Sequence, residues 1–84
     1  MDNKNRTQVK ETLFQAVQHQ IDSGRPLETR KTYDRLLRGG YAPEQALRLI
    51  ASVLLAEMNR VMQTRNPLDE SRYVKALRDL TRPR

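Results

Sequence analysis

The sequence predicts an all-α fold, a compact bundle of four helices around a long central third helix. Two observations predict it. Apolar residues recur at helical spacing in four separate segments, and no segment shows the strict alternation of a half-buried strand. Between those segments stand Ser23-Gly24 with Pro26, Gly39-Gly40 with Pro43, and Asn66-Pro67, residues that stop helices or start new ones.

The first helix is expected over Thr7 to Asp22, with Val9, Leu13, Ala16, Val17, Gln20 and Ile21 along its inner stripe. Gly24 ends it, because a residue without Cβ takes the left-handed backbone that others resist, and Pro26 is a second barrier. A short second helix follows Pro26. Its expected inner side is Leu27, Tyr33, Leu36 and Leu37, with Arg30, Lys31, Asp34, Arg35 and Arg38 outside, and Gly39-Gly40 closes it. Only Tyr41 and Ala42 precede Pro43, so the second and third helices are neighbours.

The third helix, within Ala42 to Met62, is the spine. Pro43 suits its first position and Glu44 suits the positive end of its dipole, whereas Ala42 offers no side-chain cap. At about 100° per residue its apolar side chains spread over roughly two-thirds of the circumference, more than a surface helix needs. Asp69 then caps a last helix, Glu70 to Leu80, whose inner face is Tyr73, Ala76, Leu77 and Leu80. Residues 1–5 and 81–84 are expected to be loose tails on a single domain spanning 1–84.

Eighty-four residues without cysteine or tryptophan, and with one histidine, exclude a disulfide scaffold, a thiolate nucleophile and a Cys/His zinc site. The opening MDNKNRTQVKET has no apolar signal-peptide region and no run is long enough to span a membrane, so a cytoplasmic protein is expected. A core this small leaves only a few kcal/mol of net stability, which makes completion by a second copy, a homodimer, an expectation. Sixteen Lys and Arg against ten Asp and Glu give a net charge of +6, which raises nucleic acid as a partner. Acids and bases are nonetheless interspersed, as on an ordinary solubilising surface.

From Thr29 to Leu80, the residues Thr32-Tyr33, Leu36-Leu37, Gly40-Tyr41, Glu44, Ala46, Ile50, Glu57-Met58, Asp69, Tyr73 and Leu77 form a pattern that resembles short all-helical bacterial domains of unknown function. The resemblance covers about two-thirds of the chain and rests on packing and turn residues. It implies a helical bacterial domain and carries over no catalytic or binding residue.

No segment carries catalytic spacing. Glu57 falls beside Ala46 and Ile50 in the apolar sector of the third helix, where a carboxylate is costly unless paired. It reads either as a base in a pocket or, in the favoured reading, as a structural partner of an Arg, a Tyr hydroxyl or backbone N–H groups. His19, flanked by Gln18 and Gln20, lacks the companions of a metal site and is expected at the surface. Ser23, Ser52 and Ser71 stand at a helix end, on a polar face and in a first turn, without a nucleophile elbow. No catalytic residue, cofactor or metal is therefore expected.

Two basic stripes, Lys31, Arg35 and Arg38, and Arg72, Lys75 and Arg78, each lie on one helix face and could follow phosphates. A helix-turn-helix built from the second and third helices is disfavoured. The third helix opens Pro43-Glu44-Gln45, placing a carboxylate toward phosphate, and most of its circumference is apolar. The expected role is a small non-enzymatic protein-binding or regulatory module that self-associates or binds another protein through Leu49, Leu55 and Met62; the alternative is a nucleic-acid-associated protein using the basic faces.

Overall fold

A computed structural model describes residues 3–80, with side chains from Val9 onward. Of the expected tails, residues 1–2 and 81–84 lie outside the described residues, whereas Asn3 to Asn5 belong to a helix. The elements are α1 (Asn3–Ser23), α2 (Leu27–Arg38), α3 (Pro43–Thr64) and α4 (Glu70–Asp79), and no strand occurs among the described residues. α1 therefore starts four residues before the expected Thr7. Polar side chains such as Lys4, Arg6 and Gln8 leave no apolar stripe to read, yet they are compatible with helix, and extending a formed helix adds one hydrogen bond per residue fixed.

The punctuation of the sequence appears as specific backbone bonds. Gly24 has φ +69° and its N–H donates to the Gln20 carbonyl at 2.9 Å, closing α1. At the end of α2 the Gly40 N–H donates to Leu37 O at 3.1 Å and the Tyr41 N–H to Leu36 O at 3.1 Å, with φ +98° at Gly40. That bond pair is a Schellman turn, so Gly40 rather than Gly39 is the residue that needs to lack Cβ. α3 starts at Pro43 after an uncapped Ala42, and the Gln45 side chain compensates by accepting the Ala42 N–H at 2.9 Å. Arg65 ends α3 in the left-handed conformation, φ 61°. Asp69 caps α4 by accepting the N–H groups of Ser71 at 3.0 Å and Arg72 at 3.4 Å.

α3 packs against α1, α2 and α4, as a central element must, and α2 likewise touches all three of the others. Among the described residues the backbones of α1 and α4 do not come close to each other; each helix lies along the α2/α3 pair. The core joins Leu13, Val17 and Ile21 of α1, Leu36 of α2, Ala46, Ile50, Ala51 and Leu54 of α3, and Tyr73 and Leu77 of α4.

Two inner-face expectations need correction. In α2 the fully buried residues are Thr29 and Thr32 beside Leu36, while Leu27 is 56% exposed. The reason is geometric: Leu27 precedes Leu36 by nine residues, about half a turn around the helix at 100° each, so the two cannot share a face. In α1, Val9 is 52% exposed, because the core ends at Leu13 and the helix continues past it.

Candidate functional site

α3 supplies the spine of the site. Its buried arc holds Ala46, Ile50, Ala51, Leu54 and Glu57, and α1, α2 and α4 leave the next stripe uncovered. That stripe is Leu55, Met58 and Met62, with exposures of 38, 45 and 75%. Its i, i+3, i+7 spacing keeps the three side chains in one line. Leu49, the third expected interface residue, does not join them. It is half-buried against the core and lies about 120° around the helix from Leu55.

Beside Leu55 the apolar surface deepens into an open groove of about 440 Å³ between α1 and α3. Leu13 and Ala51, both buried, form its floor, and Val9, Phe14 and Leu55 stand along its sides. Its polar lining is Lys10, Arg48 and Ser52, all exposed. The Lys10 ammonium lies 5.8 Å from the Phe14 ring centroid, within cation–π range. The Arg48 guanidinium donates to Glu44 Oε2 at 3.0 Å, one turn back.

The contribution of α1 was not legible as a site. The signal for it is Lys10, which by spacing continues the stripe Leu13, Val17, Ile21 where an apolar residue would be expected if that turn were buried. A cation in that register marks the point where α1 leaves the core and becomes the wall of a groove.

Glu57 is buried and paired. Its Oε1 accepts from Arg60 Nε at 3.2 Å and its Oε2 lies 3.7 Å from Arg72 Nε, joining α3 to α4. Arg60 Nη2 is buried without a hydrogen-bond partner. The carboxylate is met by a half-buried Arg60 and an exposed Arg72, the arrangement expected of a structural ion pair at the edge of the core.

The basic stripes are largely engaged as well. Arg35 Nη2 donates to Leu77 O at 2.8 Å and to Leu80 O at 3.4 Å, closing the C-terminal end of α4. Lys75 pairs with Asp79 at 3.3 Å and Arg78 with Glu28 at 3.3 Å, while Arg72 faces Glu57. Lys31 and Arg38 remain exposed on the outer face of α2, with Asp34 between them in sequence. The structure thus does not assemble either stripe into a continuous row of free cations.

The most buried polar cluster lies elsewhere. Gln20 Oε1 accepts both from Thr29 Oγ1 and from Tyr73 OH, each at 2.8 Å, tying α1, α2 and α4 together. Burial pushes the Tyr73 phenol up from its ordinary value of 10.0, with the hydrogen bonds to Thr29 and Gln20 pulling the other way. Thr32 Oγ1 is buried without a hydrogen-bond partner. His19 is exposed, and among the described residues no group of three His, Cys, Asp or Glu side chains could hold a metal ion. No described helix is long and apolar enough to cross a membrane. The chain matches no protein-family model, no curated protein and no solved structure.

Proposed function

We propose that this chain is a small non-enzymatic binding or regulatory module of the cytoplasm, of the helical bacterial kind that the Thr29–Leu80 pattern resembles, which docks a protein on the α1/α3 face. The observation that carries this reading is the groove floored by Leu13 and Ala51 and its continuation along Leu55, Met58 and Met62. A small domain that leaves methionines and a leucine aligned outside its core keeps apolar area that water disfavours, at roughly 25 cal/mol per Å². Methionine adapts its shape to what it meets, which suits a docking face. The partner is either another protein or a second copy of this chain.

Leu55→Asp tests the reading. The side chain is 38% exposed, so the variant should keep its helical circular dichroism and melt within several degrees of the wild type. Sedimentation of the purified protein, together with cross-linking in host extract, should show assemblies in the wild type that the variant lacks. Identical profiles for the two folded proteins would dismiss this face as a binding surface.

A further inference from the structure

We infer that the occupant of the α1/α3 groove is an acidic amphipathic helix of another protein, an inference that rests on the binding reading above and specifies its partner. Three features of the groove carry it. The first is shape: Arg48 to Leu55 extends about 10 Å along α3 and the exposed stripe carries on to Met62, about 21 Å in all, which is the length of four helical turns. A trough between two helices that opens onto a straight apolar stripe accepts a third helix presenting anchors at i, i+4, i+7 and i+11.

The second is charge. Among the described residues, the ionisable side chains that line the groove are Lys10 and Arg48, both cations, and no carboxylate lines it. Arg48 is shared with Glu44, but among the described residues Lys10 meets the Phe14 ring and no carboxylate, so its ammonium retains donors for an incoming carboxylate. The third is register. Lys10 falls in the register of Leu13 and Val17 on α1 and lines the groove beside Phe14, so its charge bears on the sign of what the groove accepts. A second copy fits this face poorly, because a two-fold contact would set identical Lys10 and Arg48 pairs near each other on a chain already at +6.

The test uses two dye-labelled 18-residue helical peptides with leucines at i, i+4, i+7 and i+11. One has glutamates flanking the leucine stripe and the other has lysines at the same positions. Fluorescence anisotropy at low salt should show the glutamate peptide binding about tenfold more tightly than the lysine peptide, the favourable contacts of Lys10 and Arg48 being replaced by repulsions. The preference should shrink as salt approaches physiological strength. Lys10→Glu with Arg48→Glu should reverse it, and Leu55→Asp should abolish binding of the glutamate peptide.

Equal affinity for the two peptides, or a preference unmoved by the Lys10 and Arg48 substitutions, would overturn the acidic-helix inference. So would a wild-type dimer, dissolved by Leu55→Asp, in a protein that binds neither peptide. That last result would leave the binding reading standing with a second copy as the occupant, whereas indifference of every assembly to Leu55→Asp would remove the reading itself.

Discussion

Tyr73→Phe removes one hydroxyl from the polar cluster that ties α1, α2 and α4 together. The ring is 2% exposed and would stay in place, so the substitution deletes a hydrogen bond without opening a cavity. Gln20 Oε1, the acceptor at 2.8 Å, keeps the Thr29 hydroxyl at 2.8 Å, and no buried group is orphaned. The loss at pH 7 should therefore be the net worth of one neutral hydrogen bond, about 1 kcal/mol, and not the larger penalty of an unsatisfied polar atom. In a domain of this size that lowers Tm by roughly 4–8 °C. Alkaline pH supplies a second, independent signature. Because burial raises the Tyr73 phenol, the folded chain holds its proton to higher pH than the unfolded chain does. The contribution is whole below the ordinary value of 10.0 and is lost as pH climbs through the folded value, with a slope of up to about 1.4 kcal/mol per pH unit. Phenylalanine has no such dependence, so the stability gap should close as pH passes 10. Urea unfolding of both proteins, followed by far-UV circular dichroism from neutral pH to about pH 11, measures the gap directly, with every other titration cancelling in the difference. A gap that is constant or widening over that range would refute the assignment of Tyr73 as a buried, proton-retaining donor.

Two further substitutions probe the engaged charges. Glu57→Gln leaves Arg60 and Arg72 without their counter-charge; since those side chains are 22% and 56% exposed, water offsets part of the deficit, and a loss of about 1–2 kcal/mol is expected in denaturant unfolding at neutral pH. Arg35→Met keeps the apolar stem but withdraws the donor from Leu77 O, and should destabilise by about 1–2 kcal/mol, with faster amide exchange concentrated in α4. Uniform change across all four helices would show that Arg35 does not act as the closure of α4.

The helix ends were readable because each rests on a residue with a local reason to be there: Gly24 and Gly40 in left-handed turns, Pro43 at a first helical position and Asp69 as a cap. Faces were less readable where they depend on what another helix brings. Thr29 and Thr32 look like polar residues of a solvated helix, and only the arrival of Gln20 from α1 and Tyr73 from α4 makes Thr29 fit a buried site. The exposed part of α3 was half-legible. Its wide apolar arc pointed to Leu55 and Met62, but periodicity alone could not tell that Leu49 turns back against the core, nor that Val9, Lys10 and Phe14 would form the opposite wall. The basic stripes were correct as spacing and incomplete as chemistry, since the partners of Arg35, Arg72 and Arg78 lie more than a dozen residues away in the chain.

The separation of α1 from α4 has a consequence for how this chain tolerates change. Among the described residues the backbones of these two helices stay apart, so truncations far from their shared hydrogen bond, at Leu13 and at Leu77 for example, should add to within about half a kcal/mol when combined. Gln20 and Tyr73 are the exception: there a change on one helix alters what the same change on the other is worth. The two outer helices are thus free to drift in sequence largely independently of each other, with α2 and α3 bearing the constraint from both sides and the Gln20 amide oxygen coupling the two histories.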